Sequence, residues 1–465
     1  MVDAPPPPIL AHPDSGSAGP FVHQTDRMHR TPTPPESPAV PSRFPRLLRP
    51  VVIAACALAV LAASCSSSES GESTAVTDET TTTLPASVPP APGGPDDPAF
   101  AQPGPFAVGV TSLSLPDRQV EVWYPATAVP AGTPVATYSQ LDALPDNLAA
   151  LAPGLLPAGT SPDILTVTMA DTFRDVPAST DGPFPLVLFS HGFGSFRLDA
   201  SALLRGIASW GFVVAAPDHI ERGRAALVTG QVTRAPERDV EVLLDTIDLV
   251  GSAGGVLAGL TDTERVGAVG HSAGGRAVLT ALSEPQVDVA VGWAAAGRAD
   301  IPAPEKPSMN IAALVDVLVP VEEVRATYAG MAPPKRLVVI DGAGHNSFTD
   351  VCLAVRSGSD LIGLAQSIGF DLPEGLAAGA VDGCQPEAID TQVGWAITQS
   401  FTVAELRAGL GLDESGAGLG PGVVEAWDVP VEYTEDLVVT ATTGAPESTG
   451  APETTAAPQT TAAGG

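Results

Sequence analysis

The chain has 465 residues, 53 of them acidic and 22 basic, for a formal net charge of −31 at pH 7. An acidic excess of that size disfavours nucleic acid and anionic lipid as partners, since both present phosphates that it would repel. Length alone would allow about three domains, but both ends are low in complexity, which leaves one large α/β domain between them.

In chain order, an arginine-bearing stretch precedes the apolar run Val51–Ala63, and Leu61-Ala62-Ala63-Ser64-Cys65 follows. The run is too short for a comfortable membrane span and reads as a secretory signal. It resembles the bacterial lipoprotein signal, which implies Cys65 as the lipidated first residue of an extracytoplasmic protein held at the membrane by an anchor; Ala62 departs from the usual leucine. An ordinary cleaved signal is the alternative. The preceding 1–27 are long and rich in proline for a signal, so Met28 rivals Met1 as the start. Residues 66–103 are rich in Ser, Thr, Pro, Gly and acid, and are expected to form a disordered linker. The folded domain is expected over 104–440, with a disordered tail at 441–465 that echoes Gly-Ala-Pro-Glu-Ser-Thr.

Within the domain, Phe106–Leu115 and Gln119–Tyr124 read as a hairpin turning at Pro116-Asp117. Ala131–Pro183 is rich in proline and irregular. Pro185–Ser190 is a continuous apolar run, as expected of a buried strand. Leu198–Trp210 reads as a helix and Phe212–Ala216 as a strand. Val240, Leu243, Leu244 and Ile247 mark one face of a helix over Pro236–Val250. Further strands are predicted at Val266–Val269, Val287–Trp293, Met309–Val315 and Arg336–Ile340, with a helix over Ala273–Leu282 and another through Val393, Ile397, Phe401 and Ala404. Strands alternating with helices predict a mostly parallel central sheet covered by helices on both faces.

The organising stretch is Arg265–Gly275, which contains Gly270-His271-Ser272-Ala273-Gly274. A serine in a G-x-S-x-G pentad between a strand and a helix is a candidate nucleophile, its hydroxyl projecting from a strained turn. Such a serine needs a base. In this class of site the order along the chain is serine, acid, histidine, and only His345 follows Ser272. The acid must then come from Glu284, Asp288, Asp300, Glu305, Asp316, Glu322, Glu323 or Asp341. Asp316 is preferred because it follows a strand, where a carboxylate can orient an imidazole; Asp341 lies only four residues before His345. The Ala273 N–H at the helix start and the Phe193 N–H in Ser190-His191-Gly192-Phe193-Gly194 are the candidate oxyanion donors. His191 and His271 are assigned structural places beside the site, and so is His219. Cys352 and Cys384 remain after Cys56 and Cys65 are set aside, and in an oxidising compartment they should pair. They bracket a glycine-punctuated apolar excursion over 351–387, which reads either as a covering rim for a greasy substrate or as a packed decoration.

Glu121-Val122-Trp123-Tyr124-Pro125, Phe189–Gly194, Val213–His219, Gly270–Gly275 and Phe401–Ala404 together resemble the α/β-hydrolase superfamily. Within it they are similar to the platelet-activating-factor acetylhydrolase, dienelactone hydrolase and bacterial polyester hydrolase group, over about residues 105–412. The resemblance implies a serine hydrolase of carboxylic esters, with no cofactor and no metal, but carries over no substrate choice; the chain is expected to be a monomer acting on a small or lipophilic ester. Two rivals stand beside it: an envelope acyltransferase using the same groups, and a non-catalytic binding lipoprotein on the same scaffold.

Overall fold

The computed structural model describes residues 88–127, 129–156, 161–297, 304–356, 363, 366, 374–437 and 464–465. The leader, Cys65, residues 66–87 of the linker and residues 441–463 of the tail lie outside them.

The strands are β1 (Ala107–Ser114), β2 (Gln119–Ala126), β3 (Thr137–Ser139), β4 (Thr166–Thr168), β5 (Thr172–Arg174), β6 (Phe184–Ser190), β7 (Val213–Pro217), β8 (Thr261–His271), β9 (Val289–Trp293), β10 (Ser308–Ala313), β11 (Lys335–Ile340) and β12 (Val431–Asp436). The helices are α1 (Asp146–Ala149), α2 (Ala152–Leu155), α3 (Ser201–Ser209), α4 (Arg224–Thr229), α5 (Pro236–Gly251), α6 (Ala273–Ala281), α7 (Val321–Gly330), α8 (Val351–Arg356), α9 (Glu374–Ala380) and α10 (Thr391–Gly409). Among the described residues no helix is long and apolar enough to cross a membrane.

Among the described residues, ten strands form one sheet in the order β12-β11-β10-β9-β8-β6-β7-β2-β1-β5. From β7 through β6, β8, β9 and β10 to β11 every pairing is parallel. The hairpin β1–β2 turns where Leu115 N–H meets the Arg118 carbonyl at 2.9 Å, and β2 joins β7 antiparallel. Successive side chains of a strand point to opposite faces, and β6 sorts its residues accordingly. Val187 and Phe189 pack with Leu203, Ile207, Ile397 and Phe401 of α3 and α10, whereas Leu186 and Leu188 pack with Leu243, Ile247, Val278 and Ala281 of α5 and α6. Both faces are thus covered, which is why the central strands read as continuous apolar runs.

Two expectations need correction, and one strand was not anticipated from the sequence. Residues 88–103, read from composition as the end of the linker, pack onto the domain. Phe100 is fully buried with its ring edge-on to Trp210 at 5.0 Å, and Gln399 Nε2 donates to the Phe100 and Gln102 carbonyls at 2.7 and 2.9 Å. One buried phenyl ring is worth roughly 1.5–3 kcal/mol, and a window dominated by proline and glycine hides it. β10 ends at Ala313, so Asp316 stands in the turn beyond the strand. The late strand β12 closes the sheet antiparallel to β11 through partly exposed residues, whose alternation with acids masks its apolar side.

Candidate active site

Ser272 stands between β8 and α6 with φ 57° and ψ −119°, a conformation that side chains rarely adopt. Such strain costs on the order of 1–3 kcal/mol and persists only where the surroundings impose it. The flanking glycines show how tight the surroundings are. A Cβ on Gly270 would lie 2.3 Å from the Gly274 carbonyl oxygen, and one on Gly274 would lie 1.9 Å from the Ser190 carbonyl oxygen. The elbow is therefore pressed against the end of β6 by backbone that cannot yield.

The structure brings Asp316 and His345 together. His345 Nδ1 donates to Asp316 Oδ2 at 2.7 Å, which leaves Nε2 as the unprotonated nitrogen of the neutral ring. The other carboxylate oxygen, Oδ1, accepts from the Leu318 and Val319 N–H groups at 2.8 and 2.7 Å. All of Asp316's side chain is out of solvent. Asp341, the alternative acid, instead accepts from the Gly342 N–H at 2.8 Å. His345 is placed against the elbow by the residue before the serine: His271 Nε2 donates to the His345 carbonyl at 2.9 Å, and the two rings lie 4.7 Å apart. Burial, with His345 beside it, pushes His271 down to about 3, so it stays a neutral donor.

Gly192 of the loop after β6 approaches the same point, since a Cβ there would lie 3.4 Å from the Ser272 Cβ. Among the described residues, neither the Phe193 N–H nor the Ala273 N–H has a hydrogen-bond acceptor. Arg222 explains the orientation of the first. Its Nη1 donates to the His191 and Gly192 carbonyls, the latter at 3.1 Å, and its Nη2 to Ser190 Oγ at 2.9 Å. His191 Nδ1 donates to the same Gly192 carbonyl at 2.8 Å. A trans peptide points its N–H away from its C=O, so holding the Gly192 carbonyl on Arg222 turns the Phe193 N–H to the other side. The Ala273 N–H, in the first turn of α6, has the positive end of the helix dipole behind it. Arg222 was not legible as part of the site; an arginine between Glu221 and Gly223 reads as a surface charge.

A second serine, histidine and aspartate occur together, and geometry sets them apart. Ser190 Oγ lies 2.8 Å from His219 Nε2, and His219 Nδ1 lies 3.0 Å from Asp239 Oδ1, off the line a hydrogen bond needs. Ser190 and His219 have no solvent exposure, and burial with Arg222 alongside drives the His219 pKa well below its usual value. That group braces the loop from inside, as do the His191 ring and the Arg222–Asp239 pair.

Cys352 and Cys384 are bonded to each other, with Cα atoms 4.7 Å apart. Of the excursion between them, residues 357–362, 364–365 and 367–373 lie outside the described residues, and the covering rim expected from sequence falls largely there.

A sequence model of the family described as platelet-activating factor acetylhydrolase, isoform II, matches residues 162–250. That range holds the Ser190–Gly194 loop and Arg222 and stops short of Ser272. A platelet-activating factor acetylhydrolase of Cavia porcellus is 43% identical over 61 residues, which is 13% of this chain and 14% of the relative's own length. The solved ferulic acid esterase of Streptomyces cinnamoneus superposes with a TM-score of 0.50 at 21% identity, covering 72% of this chain and 99% of the esterase. With that superposition, the parallel sheet order and the strand–serine–helix elbow at its centre, the chain has the α/β-hydrolase fold, and over residues 162–250 it is similar to the platelet-activating factor acetylhydrolase family.

Proposed function

We propose that the protein is a serine hydrolase of carboxylic esters. Ser272 Oγ attacks the ester carbonyl carbon while His345 Nε2 takes its proton, and the buried Asp316 carboxylate stabilises the imidazolium. The developing oxyanion is received by the Phe193 and Ala273 N–H groups. His345 returns the proton to the departing alcohol oxygen, leaving an acyl ester on Ser272. Water, deprotonated by the same nitrogen, then releases the acid. The observation that carries this reading is the 2.7 Å Asp316–His345 contact set beside a serine held at positive φ, with two unengaged N–H groups next to it. The similarity to an acetylhydrolase supports ester chemistry. Val315 and Val317, either side of Asp316, are 52% and 59% exposed, and Phe193 is 43% exposed. An apolar fringe of that kind suits a lipophilic ester.

The setting is part of the proposal. The chain is secreted and tethered by a lipid on Cys65, and the Cys352–Cys384 bond supports an oxidising compartment. The test is labelling with a fluorophosphonate, read by mass spectrometry, together with turnover of p-nitrophenyl esters of increasing acyl length. An adduct on Ser272 and hydrolysis lost by about 10⁴-fold in Ser272→Ala are expected. An unlabelled Ser272 in folded protein would overturn the enzyme reading and leave the binding-lipoprotein reading.

A further inference from the structure

Both members of the Asp316–His345 pair sit on turns beyond strand ends, on neighbouring strands β10 and β11. Turns of that kind do not by themselves hold two side chains to a fraction of an ångström. Some main-chain anchoring comes from the sheet: the Leu314 N–H donates to the Ile340 carbonyl and the Val315 N–H to the Ala343 carbonyl, both at 3.0 Å. Beyond those points one side chain spans the two turns. Asp382 Oδ2 accepts the His345 N–H at 2.8 Å and the Val317 N–H, in the residue after Asp316, at 3.1 Å. Asp382 is 5% exposed, and its own carbonyl accepts the Asn346 N–H at 2.9 Å.

Asp382 comes from far along the chain, and its segment is attached to the His345 turn at several points. Asn346 Nδ2 donates to the Gly379 carbonyl at 2.7 Å, and Ser347 Oγ to the Gly383 carbonyl at 3.4 Å. The backbones touch, since a Cβ on Gly344 would lie 2.5 Å from the Gly383 nitrogen. The covalent attachment is Cys384, two residues after Asp382, bonded to Cys352 at the start of α8. Cys352 Sγ in turn lies 3.4 Å from the Asn346 carbonyl. The disulfide therefore closes a loop whose two ends meet at the His345 turn, with Asp382 at the junction.

We propose that Asp382 is a positioning residue that sets Asp316 and His345 in register, and that the Cys352–Cys384 bond serves turnover by holding Asp382 in place. This rests on the serine-hydrolase reading of Ser272. Asp382 touches neither substrate nor the reacting atoms; it acts through two backbone N–H groups. Both bonds end on one oxygen, so the device is geometric, and an amide oxygen in the same place can accept both. Misplacing a catalytic group by about 1 Å can cost on the order of 10²-fold in rate. The cost falls on proton transfer and leaves substrate binding alone.

The experiment measures kcat and KM on p-nitrophenyl acetate and octanoate, each normalised to the Ser272 sites titrated with fluorophosphonate. Asp382→Ala should lower kcat per titrated site by roughly 10–100-fold with KM within about threefold. Asp382→Asn should restore kcat to within about threefold of the parent. The double variant Cys352→Ser, Cys384→Ser should lower kcat per site by a similar factor on acetate and octanoate alike, and it tests the idea if Asp382→Ala does not fold. A role confined to stability would reduce the number of titratable sites and leave kcat per site unchanged, within about twofold, and that result overturns the proposal. Failure of folded Asp382→Asn to recover would also overturn it, because charge and not hydrogen-bond geometry would then be at issue. A loss in the double variant confined to octanoate would assign the disulfide to a covering rim instead. Failure of the hydrolase reading is separately visible, as a parent protein that takes no label on Ser272.

Discussion

Replacing Asp316 by asparagine should nearly abolish turnover while leaving the fold intact, and the hydrogen bonds around it say why. One carboxylate oxygen accepts the Leu318 and Val319 N–H groups, and the other accepts His345 Nδ1–H. An asparagine has only one oxygen. Two backbone donors at 2.8 and 2.7 Å require that oxygen on their side, since an NH2 group there would face two N–H groups. The amide nitrogen is then turned toward His345, and its N–H forces Nδ1 to be the acceptor. The ring proton moves to Nε2, the nitrogen that must take the Ser272 proton. The penalty is loss of the base in its reactive tautomer, expected at about 10³–10⁴-fold in kcat, or roughly 4–5.5 kcal/mol of barrier. The assay is kcat on p-nitrophenyl acetate per titrated serine, with thermal unfolding as the control. Activity within tenfold of the parent in folded Asp316→Asn, together with a collapse in Asp341→Asn, would refute the reasoning and move the acid to Asp341.

Phe100→Ala should destabilise the domain by about 3–5 kcal/mol, because a fully buried ring edge-on to Trp210 is lost, while kcat per titrated site stays unchanged; a loss under 1 kcal/mol by urea unfolding would return residues 88–103 to the linker. His191, His219 and His271 are buried with pKa values below the usual histidine range, so their contribution to stability is present above about pH 6.5 and is lost on acidification. Asp350, pushed up to about 7 by burial, opposes them by keeping a proton that the unfolded chain releases. Acidification from pH 7 to pH 5.5 should therefore lower stability, with the raised Asp218, Asp350 and Glu405 carboxyls offsetting part of the loss, and a flat or rising urea stability over that interval would contradict the assignment. Finally, the protein made in a bacterial host with its leader should partition into detergent and Cys65→Ser should release it; an unmodified N-terminus elsewhere by mass spectrometry would remove the anchor.

The alternation of apolar strands with amphipathic helices was enough to determine the sheet and its two covered faces, because burial on both sides leaves runs such as Leu186–Phe189 with no polar residue. The pentad around Ser272 was equally legible, since the elbow excludes side chains at Gly270 and Gly274 and so writes its geometry into neighbouring residues. Chain order singled out His345, and a place at the end of a predicted strand pointed to Asp316, although the strand stops at Ala313 and Asp316 stands in the turn beyond it. What lay hidden depends on contacts between distant residues. Phe100 looks like linker until Trp210 covers it, Arg222 looks like a surface charge until three groups of the Ser190–Gly192 stretch fold onto it, and Asp382 looks like one acid among many. The same limit applies to the two serine–histidine–aspartate groups. Composition cannot separate Ser190, His219 and Asp239 from Ser272, His345 and Asp316. The pentad and the chain order favour the second set, and the tertiary structure supplies the physical ground: Ser190 and His219 have no solvent exposure, whereas Ser272 stands at a strained turn beside the Phe193 and Ala273 N–H groups, because local sequence specifies conformation a few residues at a time whereas solvent access and hydrogen-bond partners are set by the whole chain.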